Sequence, residues 1–199
     1  MTDPIRDAAD AAVGGELIVV PTDTVYGIGT RPDDPAATAR VFEAKSRPPD
    51  LELPVLVPSL TAAKQIASFD EPALRLATRF WAGALTLILP RTEVSRGWDL
   101  GGNAETIGVR MPHHPLALAV LTLTGPLAVT SANRSGESTP ATCDGVRAVF
   151  GDRVAVYLCE NSSVEGRAST VVDLTGGEPR FLRVGALAES AVVHALSEA

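Results

Sequence analysis

The chain is 199 residues long, 45% hydrophobic and 21% charged, with a formal net charge of −7. That length suits one domain over 1–199, which buries roughly 70% of its extended-chain surface and needs no staple to fold. The acidic balance is unlike that of a nucleic-acid module, whose domain pI exceeds about 9, though it leaves room for a local basic patch.

The N-terminus Met1-Thr2-Asp3-Pro4-Ile5-Arg6-Asp7 lacks the basic-then-apolar pattern of a secretory signal. A helix over 4–13 and a strand over 17–20 come first. Asp34-Pro35 then joins an N-cap to a proline at the first helical position, opening a helix over 35–44. A strand over 53–57 and helices over 60–67 and 72–81 follow. Asp70-Glu71 put negative charge at the start of the last helix, where the dipole favours it. The run Leu85-Thr86-Leu87-Ile88-Leu89 reads as a strand, far short of the ~20 residues of a membrane span. Residues 90–105 show no period, and such stretches in compact domains are functional or mobile. Strands over 106–109, 127–130 and 154–158 then alternate with helices over 115–123 and 141–150. Strands over 170–174 and 181–184 flank Thr175-Gly176-Gly177-Glu178-Pro179, a hairpin signature. A helix over 186–196 comes last. The alternation implies an α/β layered domain, and the hairpin makes its sheet mixed. Cys143 and Cys159, with no CxxC and no Cys/His cluster, make no disulfide framework and no zinc site. The expectation is a soluble, cytoplasmic protein of a reducing compartment, without membrane contact.

Of 17 basic residues only Lys45 and Lys64 are lysines. Arginine is the better fork for carboxylates and phosphates, although biased codon usage would give the same excess. Five segments carry candidate chemistry. In Val20-Pro21-Thr22-Asp23-Thr24-Val25-Tyr26-Gly27-Ile28-Gly29 a strand stops at a proline, and hydroxyls and glycines follow. It is either a plain turn or a ligand site at a strand end. Lys45-Ser46-Arg47 closes a helix that Pro48-Pro49 ends. The pair either complements the dipole or clamps phosphate, Lys as a point charge and Arg as a planar fork. Arg110-Met111-Pro112-His113-His114-Pro115 follows a strand. Arg110 could pair with a substrate carboxylate, while the histidines read as solvated loop residues more readily than as metal ligands. Thr130-Ser131-Ala132-Asn133-Arg134-Ser135-Gly136, with Ser138-Thr139 beyond, gathers small polar groups that let a phosphate approach backbone N–H groups. It matches neither a Walker A loop nor a GxSxG elbow. Ser169-Thr170 and Arg183 repeat the theme on the last strands. No set suggests covalent catalysis. Hydroxyls at strand ends plus four cations describe the positioning of an anionic ligand, most simply a nucleoside triphosphate.

In this order the pieces Pro21-Thr22-Asp23-Thr24-Val25-Tyr26-Gly27, Lys45-x-Arg47, Phe80-Trp81-x-Gly83-Ala84-Leu85-Thr86, Val109-Arg110-Met111-Pro112-x-His114-Pro115, Ser131-Ala132-Asn133-x-Ser135-Gly136, Ser169-Thr170-Val171-Val172-Asp173 and Leu182-Arg183-x-Gly185 resemble the YrdC-like family, the L-threonylcarbamoyl-AMP synthases. The resemblance spans about residues 16–186 and is to the short, single-domain form. It implies a twisted, mixed, open α/β sheet flanked by helices, with a large concave cleft. It implies that L-threonine, bicarbonate (or CO2) and ATP, with Mg2+, give threonylcarbamoyl-AMP and pyrophosphate. A separate transferase complex would then modify tRNA beside the anticodon. Carried onto this sequence, the resemblance implies that Thr22, Arg110 and Thr170 place threonine. Lys45 and Arg47 would be catalytic and, with Arg183, hold the phosphates. Ser131, Asn133 and Thr139, with Thr106 nearby, would bind the nucleotide. No residue is expected to hold a resident metal.

The sequence departs from the family pattern at several places. An Asn- or His-Pro-Leu segment and a later His are replaced by Asp50-Leu51-Glu52-Leu53-Pro54-Val55-Leu56, which puts a carboxylate near a phosphate site. Ala82 stands for a proline, Cys159-Glu160-Asn161 for Asp-Gly-Gly, and Val184 for a second proline. The rival expectation is a paralogue, non-catalytic or of altered substrate, that binds double-stranded RNA or tRNA, which would require a basic concave face and steep salt dependence. A carbamoyl-adenylate activity, as in the YrdC-like domain of hydrogenase-maturation proteins, is a third. Those domains sit beside acylphosphatase and zinc-finger parts that are absent here.

Overall fold

The computed structural model describes residues 3–48, 50–160, 164 and 166–197. Pro49, the second half of the expected helix stop, and Asn161, one of the departures, lie outside the described residues.

The helices start where short polar side chains cap them. Asp3 accepts from the N–H groups of Ile5 and Arg6 ahead of α1 (Pro4–Val13). Asp34 caps α2 (Pro35–Lys45), Ser59 caps α3 (Leu60–Ile66) and Asp70 caps α4 (Glu71–Phe80). Each satisfies a backbone donor that the first turn leaves unpaired. One turn of helix, α5 (Glu93–Arg96), lies in the stretch expected to be unpatterned. Then come α6 (Pro115–Thr124), α7 (Cys143–Phe150), capped by Thr142, and α8 (Glu189–Ser197).

Among the described residues nine strands form one mixed sheet: β1 (Ile18–Val20), β2 (Gly27–Thr30), β3 (Val55–Leu56), β4 (Leu85–Pro90), β5 (Thr106–Arg110), β6 (Leu127–Ser131), β7 (Val156–Tyr157), β8 (Thr170–Asp173) and β9 (Arg180–Arg183). Their order is β7-β1-β2-β6-β3-β5-β4-β8-β9. The pairs β1/β7, β3/β5 and β4/β8 are parallel and the others antiparallel. The expected hairpin is β8–β9.

Strand β2 was not expected, because glycines weaken strands. Here their missing side chains are what the packing uses. A Cβ on Gly29 would stand 2.2 Å from the Ala128 carbonyl oxygen, and one on Gly27 2.6 Å from Val129 Cγ1.

Period-two alternation sorts the strands between two layers. Leu17 and Val19 face the larger core with α2, α3 and α4, together with Leu85, Leu87, Leu89, Ile107, Val109 and Val172. Ile18 and Val20 face the other layer, where Ala8, Ala9 and Ala12 of α1 and Val120 and Leu121 of α6 pack with Leu56 and Val129. The register carries that second face across the sheet. Leu56 pairs with Arg110, Gly108 with Ile88, Thr86 with Val171, and Val171 with Arg183. On β5, β4 and β8 this face therefore presents Arg110, Gly108, Thr86, Ile88 and Val171, and these residues line cavities rather than core.

The cysteines depart from expectation. Cys143 and Cys159 are joined in a disulfide, with Cα atoms 5.5 Å apart. They lie 16 positions apart in sequence, and α7 followed by β7 folds the chain back so that the two meet. The chain between 90 and 105 is also pinned rather than loose. Arg91, 4% exposed, donates to the carbonyls of Thr106 (2.6 Å), Ser95 (3.0 Å) and Trp98 (2.7 Å). Among the described residues no helix is long and apolar enough to cross a membrane.

Candidate active site

Two adjoining cavities open on the second face of the sheet. The first is bordered by Thr22, Thr24, Arg110, Ser131, Ser169 and Arg183 among others. The second runs on past Glu52, Ile88, Gly108 and Val171. Pro54, Thr86, Ser169 and Arg183 line both.

Arg110 ends β5 and is 6% exposed. Its Nε donates to the Gly83 carbonyl (3.0 Å), Nη1 to Thr24 Oγ1 (2.8 Å) and Nη2 to Asp23 Oδ1 (2.7 Å). Burial, with the like charge of Arg183, pulls its pKa below the usual arginine value, and Asp23 opposes that pull. A guanidinium has five N–H donors, so these three bonds leave donors for a ligand while fixing the plane of the fork. The turn that supplies Asp23 and Thr24 is shaped by Thr22. Its hydroxyl donates to the Val25 carbonyl (2.6 Å) and accepts from the N–H groups of Thr24 and Val25, both at 3.2 Å. Asp23 also takes the His113 N–H at 2.9 Å, tying the turn to the segment after β5.

Lys45, the last residue of α2, is 1% exposed. Its ammonium donates to the carbonyls of Ser131 and Asn133, both at 2.5 Å. Burial, and then the nearby charge of Arg47, lower its pKa to about 8. Arg47 donates to the carbonyls of Leu51 (3.1 Å) and Glu52 (2.9 Å). Burial and the charge of Arg183 lower its pKa, while Asp50 raises it. Arg183 donates from Nε to the Ser169 carbonyl (2.9 Å) and from Nη2 to Ser169 Oγ (3.1 Å). That oxygen also lies 2.8 Å from Thr86 Oγ1. Neither Lys45 nor Arg47 borders a cavity directly; they stand behind Ser131 and Glu52, which do.

The structure brings Thr22, Arg110, Ser131 and Arg183 together around the first cavity. It sets the other expected residues elsewhere. Thr170 is fully buried. Its hydroxyl donates to the Leu187 carbonyl (2.5 Å) and accepts from the Gly185 N–H (2.9 Å), so Ser169 takes the place at the cavity. Asn133 donates its amide hydrogens to the carbonyls of Arg134 and Glu137, and its oxygen accepts from the Thr139 hydroxyl (3.0 Å). Both Asn133 and Thr139 thereby hold their loop rather than border either cavity. Thr106 shares the face of Gly108 and Arg110 but lies at the far end of β5, beyond the second cavity's lining.

His114 is not a solvated loop residue: it is 8% exposed, and its Nε2 meets Glu160 Oε1 at 3.0 Å. The backbone N–H of Glu160 in turn donates to the Tyr26 hydroxyl at 3.2 Å. Of the other departures, Leu56 borders the first cavity, Glu52 the second, and Leu51 and Val184 are exposed. Ala82 precedes Gly83, whose carbonyl takes Arg110. Three residues of consequence were not anticipated. In the sequence Asp23 is one residue inside a longer motif, Ser169 is the neighbour of the expected Thr170, and Arg91 carries no signal that separates it from the other arginines.

Comparison with known proteins places this architecture. The Sua5/YciO/YrdC family model, described as telomere recombination, matches residues 10–185, and the chain belongs to that family. A protein of Mycobacterium tuberculosis is 42% identical over 193 residues, covering 96% of this chain and 88% of the relative. A relative named threonylcarbamoyl-AMP synthase, from Pyrococcus abyssi, is 40% identical over 185 residues, covering 92% of this chain and 54% of its own length. The solved structure of P. abyssi Sua5 complexed with L-threonine superposes with a TM-score of 0.88 at 36% identity, covering 98% of this chain and 57% of that one.

Proposed function

We propose that this chain is an L-threonylcarbamoyl-adenylate synthase, a nucleotidyltransferase that joins L-threonine, bicarbonate or CO2, and ATP accompanied by Mg2+. The observation that carries the proposal is the buried, held guanidinium of Arg110 in a cavity that also receives Arg183. A fixed fork suits a carboxylate, and the second cation suits a phosphate.

The threonine carboxylate binds the remaining Arg110 donors, beside the turn that Thr22 shapes. The free amine of threonine adds to CO2 and loses a proton, giving a carbamate. A carbamate oxygen then attacks the α-phosphorus of ATP, and the bond from that phosphorus to the bridging oxygen breaks as pyrophosphate leaves. Arg183, Arg47 and Lys45 offset charge on the departing group. A preorganised donor that reaches the charge directly, as Arg183 can from the cavity wall, is worth about 2.7–4 kcal/mol in comparable sites. The threonylcarbamoyl group would pass to a transferase complex acting on tRNA. The RNA-binding alternative has little to stand on in these side chains: Lys45 and Arg110, two of the expected cations, are buried and cannot track a duplex backbone.

The test is pyrophosphate release by purified protein with MgATP, omitting L-threonine or bicarbonate in turn. Release that requires both is the expected result. Release that requires neither, or ATP binding without release, would refute the proposal.

A further inference from the structure

We propose that the Cys143–Cys159 bond is a thiol–disulfide exchange site, opened at Cys159 by a thiolate from solution, and that opening it weakens ligand binding in the first cavity. The exchange stands on the two cysteines alone; its link to threonine rests on the synthase reading.

The two sulfurs are unequally placed. Cys159 is exposed and Cys143 is 8% exposed, so a thiolate reaches Cys159 first. Bonds with an exposed sulfur are the labile ones. Attack there joins the incoming sulfur to Cys159 and breaks the bond to Cys143, which leaves as a thiolate. Cys143 is the first residue of α7, where the helix dipole favours negative charge against the charge of neighbouring Asp144. A second thiolate then attacks the external sulfur of the mixed disulfide, frees Cys159 and departs as a disulfide. Two electrons pass from two external thiols to the protein, and the two cysteine thiolates take their protons from water. Other contacts keep the cysteines close enough to rejoin. The Arg147 guanidinium of α7 lies 4.2 Å from the centre of the Tyr157 ring, and the Val164 N–H donates to the Ala141 carbonyl at 2.7 Å.

Both ends of the bond lead to the wall of the first cavity. Cys159 is followed by Glu160, whose N–H donates to the Tyr26 hydroxyl (3.2 Å) and whose carboxylate meets His114 (3.0 Å). Tyr26 is fully buried and borders the cavity. His114 follows His113, whose N–H donates to Asp23, the partner of Arg110. On the other side, Cys143 follows the loop that leaves the cavity wall at Ser131. In that loop the Thr139 hydroxyl donates to the Asn133 side chain, and the carbonyls of Ser131 and Asn133 take Lys45. The disulfide therefore ties 131–142 to 159–160 around the end of the cavity where Arg110 stands. Opening it gives both segments more freedom, and a ligand must then order them again, which lowers its affinity. The effect is reciprocal: whatever factor opening takes from threonine affinity, bound threonine makes the bond harder to reduce by the same factor. A disulfide that only braced the fold would show no such linkage.

The experiment holds the full chain at a series of reduced-to-oxidised glutathione ratios, with and without saturating L-threonine. Acid quenching and mass spectrometry count the closed, open and glutathione-bearing forms. Dithiothreitol is the second reductant, because it leaves no adduct. Calorimetry gives threonine affinity for closed and opened protein. The adduct should map to Cys159. Threonine affinity should fall about fivefold or more on opening, the lower end of coupling between linked sites, and threonine should shift the glutathione midpoint by the same factor. Reduction should lower Tm by about 6–12 °C, as for releasing a loop of about 15 residues in a chain of this size. Cys143→Ser and Cys159→Ser should each match the opened protein in affinity and Tm, and only Cys143→Ser should still take glutathione. A bond that excess dithiothreitol leaves intact in the folded protein, an adduct at Cys143, or equal threonine affinity in the two states would overturn the proposal. Failure of the synthase reading looks different: threonine would bind neither state, while the adduct at Cys159 and the fall in Tm remained.

Discussion

Replacing Asp23 by alanine tests whether Arg110 is a prepositioned fork or merely a nearby cation. Arg110 is buried and Asp23 partly so, with side chains 7% and 16% exposed and 2.7 Å between Nη2 and Oδ1. Removing one member of such a pair strands the other charge, which typically costs about 3–5 kcal/mol. Arginine cannot escape by losing its proton, so the cost stays in the folded state. For a chain of this size each kcal/mol shifts Tm by roughly 2–4 °C, giving an expected fall of about 6–20 °C. The freed Nη2 should then make the apo protein depend on an external carboxylate. L-threonine at saturating concentration should restore more of the Tm in Asp23→Ala than it adds to wild type. Catalysis should suffer as a raised threonine KM, because the fork is no longer held in plane. Thermal and urea unfolding with and without threonine provide the assay. The double variant Asp23→Ala/Arg110→Leu should be less destabilised than the two single losses added together, as for any directly coupled pair. A Tm within 2 °C of wild type, or strict additivity in the cycle, would refute the reasoning.

Four further outcomes follow from particular side chains. Thr170→Val should cost about 1–3 kcal/mol by leaving the Gly185 N–H unpaired while leaving the threonine KM near wild type; a large rise in KM would return Thr170 to the site. Arg91→Met should free 92–103 to exchange amide hydrogens faster, since four carbonyls lose their donor; unchanged protection would show that packing alone holds the segment. Lys45, with its pKa lowered to about 8, sheds its proton in the folded state before the unfolded one. The folded protein then binds fewer protons, so stability should rise with pH between about 8 and the usual lysine value, relative to Lys45→Met. Parallel urea-unfolding profiles for the two proteins across that window would contradict it. Glu52 runs the other way: burial raises it to about 7, so the folded state binds more protons. Stability should fall as pH rises from about 4.5 to 7, and Glu52→Gln should abolish that slope in a pH series of denaturant midpoints.

Much of the fold was legible because its signals are local. Asp34-Pro35 and Asp70 announce helix starts through the backbone donors they satisfy, and each helix begins at the next residue. The β8–β9 hairpin was legible from its glycines and proline. What escaped depends on partners distant in sequence. Strand β2 is a strand because Ala128 and Val129 come within reach of Gly27 and Gly29, and no local preference of Gly-Ile-Gly-Thr records that. The Cys143–Cys159 bond likewise depends on how α7 and β7 return the chain.

The candidate site divides along the same line, and the division has one physical origin. Polar residues at strand ends were visible as types, but which of them faces the cavities is decided by register. Ser169 and Thr170 are adjacent hydroxyls, and alternation sends one to the cavity and the other into the backbone of 185–187. The same parity selects Thr86, Gly108, Arg110 and Val171 and rejects Leu85, Leu87, Val109 and Val172, which pack in the core. The apolar positions betray that parity, because a strand whose alternate residues must be buried leaves the intervening ones on the opposite face. On β1 and β6 that opposite face is covered by α1 and α6. On β4, β5 and β8 its side chains are Thr86, Ile88, Gly108, Arg110 and Val171, and the cavities lie against them. The polar and glycine positions that interrupt the hydrophobic alternation of these strands are thus the sequence's own trace of a surface built for a ligand.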